Sequence, residues 1–340
     1  MKKIIVLCVA ILLLTVLLLG FLQAVLMPKY MTDFREGALI GEYYDAAGGN
    51  DVLFVGDCEI YESFTPPTLW KEYGITSYVR GSAQQLIWQS YYLLEEMLEK
   101  ETPRAVVYNV YAMKYGTPQD EAANRKTLDG MRWSRAKLAA IQASMTKDES
   151  FLSYVFPILR FHSRWNQLSG EDFTHLFSRE TVSHNGYMMQ TSVDPKPNAP
   201  ILAPALDDYD LPDIALDYLE KMRLLCEEKG VELILVKAPT NTRGYYWYDE
   251  WDAQIVEYAA QKDLVYYNFI PLCDEIGIDW ETDTYDKGYH LNVYGAEKLT
   301  SYFGKLLAEQ HGCSDRRAEA DTARLWDAKY EAYVKERNKE

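Results

Sequence analysis

The chain has 340 residues, 48% hydrophobic and 25% charged, a balance that excludes a generally disordered protein. Its formal net charge is −16, which repels phosphate backbones and excludes nucleic acid as the expected partner. Setting aside a short apolar N-terminal piece leaves about 300 residues, enough for one large domain or two small ones.

The first 27 residues read MKKIIVLCVAILLLTVLLLGFLQAVLM: Lys2 and Lys3, then an uninterrupted run without a charge. A membrane-spanning helix needs about 20 apolar residues, and this run supplies them. A cleaved signal peptide would have a shorter apolar stretch and a small-x-small site, which LQAVLMPKY lacks. Residues 1–27 are therefore expected to be an uncleaved signal anchor. The two lysines then stay in the cytoplasm and everything after Met27 lies outside.

Residues 28–50 read as a mixed linker, and 51–312 as one α/β domain. DVLFVG (51–56) is a short apolar run bounded by turn residues, as a buried parallel strand is. A helix follows from Pro66 to about Tyr73, then the strand SYVRG (77–81), a helix over 83–100 and the strand RAVVYNVYA (104–112). Residues 113–210 break this rhythm. They are read as an inserted segment with helices near 132–146 and 148–166 and a Pro-, Asn- and Asp-rich loop at 194–212. No lipid-facing apolar helix is legible in the insertion, which argues against a lipase-like enzyme acting on free lipid. The strand–helix pattern returns with a helix at 213–229, the strand VELILVKAP (231–239), a helix at about 250–262, the strand LVYYNFI (264–270) and a helix from about Val293 to Gln310. Residues 313–340 form a charged helical tail with Leu325, Trp326, Tyr330 and Val334 near one face, able to pack on the domain or on a partner. Strands separated by helices predict one mostly parallel sheet covered on both faces. In such sheets a ligand sits beyond the carboxyl ends of the strands, so those ends are where chemistry is sought.

The first strand ends in Gly56-Asp57-Cys58-Glu59, where a glycine turn can present Cys58 at the rim of the sheet. The second ends in Arg80-Gly81, and a glycine N–H there can donate to an oxyanion. The third carries Asn109, whose amide can be a further donor or can satisfy a buried backbone group. Near the C-terminus, TDTYDKGYHLNVYGAEKLT (282–300) brings Asp283, Asp286 and His290 just before a helix. His290 can act as general base toward Cys58, and an aspartate can hold its tautomer. Arg80 and Lys237 can bind an anionic group near the site, or be solvated rim charges. The remaining histidines, His162, His175, His184 and His311, do not pair at metal-ligand spacing, so neither a metal nor another cofactor is expected. Five cysteines, Cys8, Cys58, Cys226, Cys273 and Cys313, fit no zinc pattern. Cys58 can be a nucleophile, an inert small hydrophobe, or half of a disulfide to another exterior cysteine.

Together these blocks resemble the SGNH/GDSL hydrolase superfamily. VLFVGDC matches its strand ending in Gly-Asp-Ser, Gly81 its second block, Asn109 its third, and DKGYHLN its Asp-x-x-His block. HLN-x-x-GA-x-K (290–298) resembles membrane-anchored envelope branches, including proteins of the D-alanyl-lipoteichoic acid pathway and of alginate acetylation. The likeness covers about residues 50–310 in scattered short blocks. It departs from the pattern twice. Cysteine stands in place of serine, and the aspartate lies four residues before the histidine rather than three, with Asp283 the other candidate. The resemblance implies a three-layer α/β/α fold with a flavodoxin-like sheet. It further implies an acyl esterase or O-acyltransferase working through Cys58, His290 and Asp286 or Asp283, on an acylated polysaccharide or teichoic-acid-like polymer. A membrane acyltransferase would be its partner. The alternative is a non-catalytic glycan-binding or assembly protein on the same fold.

Overall fold

The computed structural model describes residues 2–27, 36–174, 176–177, 181–195, 206–241 and 248–339. Helix α1 (Lys2–Leu26) is apolar on every face and exposed along most of its length; only Val25 and Leu26 near its end are buried. It is long and apolar enough to cross a membrane.

Among the described residues, five strands form one all-parallel sheet in the order β2-β1-β3-β4-β5: β1 (Val52–Gly56), β2 (Ser77–Gly81), β3 (Ala105–Asn109), β4 (Glu232–Lys237) and β5 (Val265–Asn268). The order reverses between β1 and β3, which opens a crevice at their carboxyl ends. Strand parity divides the core. Val52, Phe54, Val107 and Val236 pack on one face, against α3 (Cys58–Ser63), α4 (Pro66–Tyr73) and α14 (Val293–Gln310). Leu53, Val55, Val106 and Leu235 pack on the other, against α5 (Ile87–Lys100), α11 (Asp213–Lys229) and α12 (Tyr248–Gln261). The expected α/β architecture, with helices on both faces of a parallel sheet, is what the chain forms.

Several local expectations are corrected. Residues 28–50 are not wholly a linker. Helix α2 (Glu36–Glu42) and the short 3-10 turn after it place Leu39, Ile40 and Tyr43 in the core. The helix expected over 83–100 begins only at Ile87, because Ser82 to Leu86 make a turn with Gln84 at φ +58°. The strand expected over 104–112 stops at Asn109 and runs into a 3-10 helix, Val110–Lys114. In the insertion, α6 (Glu121–Leu128) escaped the sequence reading, while α7 (Arg135–Ser144) lies inside the predicted 132–146. The expected helix at 148–166 is three pieces, α8 (Phe151–Val155), α9 (Ile158–Phe161) and a 3-10 helix (His162–Asn166). Pro157 lacks the N–H needed to continue α8. The short helix α10 (Gly170–Thr174) follows. The first part of the insertion covers α5, with Leu128, Ala140, Ile141 and Tyr154 packed around Leu93. Of the Pro-, Asn- and Asp-rich loop, residues 196–205 lie outside the described residues.

The charged tail is helix α15 (Ala320–Arg337), and it packs on the domain. Trp326 stacks on Trp70 with ring centroids 5.9 Å apart, and Trp70 donates its indole N–H to Asp327. Its buried side chains are Trp326 and Tyr333, whereas Leu325, expected on the packing face, is exposed.

Candidate active site

The site starts where β1 ends. Gly56 sits at φ +157°, and a Cβ there would come 3.1 Å from the Asn109 side chain, so glycine alone makes this exit from the strand without strain. The Asp57 carboxylate accepts the Glu59 N–H at 3.2 Å and caps α3, which makes Cys58 the first residue of that helix. Cys58 is half-buried at the rim of the sheet. Across the crevice wall, Gly81 lies beside Gly56 in register; a Cβ on it would stand 2.7 Å from the Gly56 carbonyl oxygen. A larger residue at 81 would push the two strand ends apart.

The second half of the site comes from the loop before α14. Asn292 caps that helix by accepting the N–H groups of Tyr294 and Gly295, and its own amide donates to the carbonyls of Thr282 and Ser192. Within the loop, Lys287 (φ +66°) and Gly288 (φ +89°) both adopt left-handed backbone. This reversal absorbs the extra residue between Asp286 and His290. One oxygen of Asp286 accepts the His290 backbone N–H at 2.8 Å and the other pairs with its Nδ1 at 2.6 Å. The opposite ring nitrogen, Nε2, lies 3.1 Å from the Cys58 sulfur. Thiol, imidazole and carboxylate thus stand in one line, joined across the crevice by residues far apart in the chain.

Glu62 was not singled out from sequence. It lies one helical turn after Cys58, on the same face of α3, and that i, i+4 spacing was the only available signal. Its carboxylate is buried, accepts the Tyr285 hydroxyl at 2.8 Å and lies 3.6 Å from His290 Nδ1. The Tyr285 ring stacks beside the imidazole. His290 therefore has two carboxylates within reach. Burial disfavours its charged form, but Glu62, Cys58 and the hydrogen bond to Asp286 outweigh that and hold the imidazole well above its ordinary 6.5. Burial raises the Cys58 thiol, with Asp57 and Glu62 adding to it, while His290 pulls the other way. The imidazole side chain keeps 20% of its surface exposed, so solvent tempers the burial penalty in this pair.

Beneath Cys58 lies a buried ionic platform. Lys237 donates to both oxygens of Glu59 at 2.8 Å and to the Ala238 carbonyl at 2.9 Å. The Asn109 amide nitrogen donates to Asp57 at 3.1 Å and Glu59 at 3.0 Å, and its oxygen accepts the Ala238 N–H. Burial and the neighbouring Glu59 push Asp57 upward, against Lys114 and Lys237. Because both partners are locked, the platform fixes the Asp57-Cys58-Glu59 turn.

These contacts reassign several expected site residues. Asp283 does not touch the imidazole. It pairs with Lys298 at 2.6 Å and accepts the Asp279 N–H, so it holds the loop onto α14. Arg80 is neither a rim charge nor an anion ligand. It is fully buried on the opposite face of the sheet, paired with Glu96 and stacked on Tyr43 and Tyr44. Lys237 is equally buried and is committed to Glu59. Asn109 spends its amide protons on two carboxylates and satisfies a buried backbone N–H. Cys58 is a free cysteine, so it is not half of a disulfide. Of the sequence candidates, Cys58, His290 and Asp286 come together, with Gly81 at the wall beside them. No family model matches the chain, and no curated protein matches it.

Proposed function

We propose that this chain is a membrane-anchored acyl esterase or O-acyltransferase of SGNH/GDSL type, with its α/β domain outside the cytoplasmic membrane. The observation that carries the reading is the 3.1 Å contact between Cys58 sulfur and His290 Nε2, with Nδ1 held at 2.6 Å by Asp286. A thiol beside an imidazole whose far nitrogen is fixed by a carboxylate is the arrangement nucleophilic acyl transfer needs.

In the first step the Cys58 proton moves to His290 Nε2, and the sulfur attacks the ester carbonyl. The tetrahedral oxyanion is assigned to backbone N–H groups of Cys58 and Gly81. Collapse breaks the carbon–oxygen bond, and the leaving alcohol takes the proton from His290. In the second step water or an acceptor hydroxyl attacks the thioester and gives its proton to His290. The thiolate leaves and is reprotonated. Asp286 keeps Nδ1 protonated throughout, so Nε2 always faces the sulfur. Carrying the charge of the imidazolium is easier with Glu62 nearby.

The substrate class follows from the resemblance to envelope branches and from the anchor: an acylated polysaccharide or teichoic-acid-like polymer near the membrane, with a membrane acyltransferase as donor partner. The test is turnover of acetyl and aryl esters by the full chain in detergent. Wild type should turn over and Cys58→Ala should not. No turnover by wild type, or equal turnover by Cys58→Ala, sinks the proposal.

A further inference from the structure

The insertion was not expected to face lipid, yet the part of it that follows Ser150 carries large apolar side chains on the outside. Leu152, Phe156, Leu159 and Phe173 are all exposed, and Trp165 and Phe177 are 72% and 89% exposed. A water-facing surface rarely gathers so many large apolar groups in so short a stretch. Their location is specific. Helix α1 touches α9, the 3-10 helix after it and α10. The Arg164 guanidinium donates to the carbonyls of Leu26 and Met27 at 2.9 and 2.8 Å, which satisfies the open end of α1, and it also pairs with Asp172. The apolar side chains are therefore tied to the end of the one described helix able to cross a membrane.

Charge points the same way. Between Phe151 and Thr174, Arg160 and Arg164 are matched by Glu171 and Asp172, so this stretch is neutral in a chain of net charge −16. Trp, Phe and Leu on short helices beside a membrane span suit the boundary between headgroups and acyl chains.

Resting on the reading of α1 as a membrane anchor, we propose that the short helices from Phe151 to Thr174, with Phe177 after them, form a second membrane contact. They lie in the bilayer interface beside the end of α1 and fix the orientation of the α/β domain over the lipid. A single flexible span would let the domain tumble. A span capped by Arg164 and flanked by this apolar foot would not.

The test uses the full chain with Cys8 and Cys58 changed to serine, carrying one new cysteine at a time: Trp165→Cys, Phe177→Cys, Leu224→Cys on α11, or Leu14→Cys in α1. Each is labelled with an environment-sensitive fluorophore and placed in phosphatidylcholine vesicles at no more than one chain per vesicle, so that a second copy cannot cover the patch. Nitroxide lipids quenching at shallow or deep positions are then added. The expected result is several-fold stronger shallow quenching at 165 and 177 than at 224, with deep quenching at 14. Labels at 165 and 177 that behave like the one at 224, while 14 is quenched, overturn the inference and leave the anchor standing; a protein partner would then have to cover the patch. A label at 14 that is not quenched removes the anchor, and the inference with it.

Discussion

Replacing His290 with alanine isolates the pairing on which the site depends. At 3.1 Å, a thiolate and an imidazolium attract by about 5 kcal/mol at an effective dielectric of about 20. Both groups touch solvent, and screening of about half leaves about 3 kcal/mol, or about 100-fold in the thiolate population. Without the imidazole, burial, Asp57 and Glu62 still act on Cys58, and all three raise it. The thiolate fraction at neutral pH then falls about 100-fold, but a more basic thiolate is more nucleophilic, with a slope of about one half, so alkylation should slow about 10-fold. The assay is iodoacetamide labelling of the full chain in detergent between acid and alkaline pH, with the Cys58 peptide followed by mass spectrometry. The background is low. Burial pushes Cys226 and Cys313 up to about 12, Cys273 is buried, and Cys8 sits in the apolar α1. Equal labelling rates for wild type and His290→Ala would show that the imidazole does not activate the sulfur, whatever their separation.

Three further outcomes follow from the same contacts. Asp286→Asn should lower ester turnover by about 10⁴-fold, because the imidazole loses the carboxylate that fixes its tautomer. Asp283→Asn should instead cost about 1–3 kcal/mol in urea unfolding while the folded fraction keeps its turnover; similar turnover losses in both would refute this division of roles. Glu62→Gln removes a negative charge beside His290 and keeps an acceptor for Tyr285. The imidazolium then loses its proton at lower pH, and the basic limb of the pH–rate profile should move toward acid. An unmoved limb would mean Glu62 is electrostatically silent. The linked stability has the same sign: a raised His290 stabilises the fold below its unfolded value near 6.5 and loses that contribution as pH rises through the folded value. Wild type should lose it at higher pH than Glu62→Gln. Lys237→Met removes the ammonium and its two hydrogen bonds from the buried Glu59 carboxylate, leaving the Asn109 amide as its side-chain donor, and should destabilise by about 3–5 kcal/mol in urea, with partial recovery when Glu59→Gln is added. A neutral effect would mean that the platform under Cys58 is not needed to hold the turn.

The sequence alone determined what depends on neighbours along the chain. Apolar runs bounded by turn residues marked all five strands, helical periodicity marked the helices that cover them, and an uncharged run marked α1. Cys58 and His290 were legible because each follows a local pattern, a strand ending in a glycine turn and a loop leading into a capped helix. Tertiary structure decided where the long polar side chains reach. Arg80 falls on the far face by strand parity and meets Glu96 and the Tyr43 and Tyr44 rings, while Lys237 meets Glu59 from a distant strand. Asp286 rather than Asp283 meets the imidazole because Lys287 and Gly288 reverse the backbone, a turn that residue spacing does not encode. Glu62 joins the pair only because α14 packs across α3 and brings the loop before it over that helix. Buried polar groups must find partners, and which partners they find is settled by packing between segments remote in the chain.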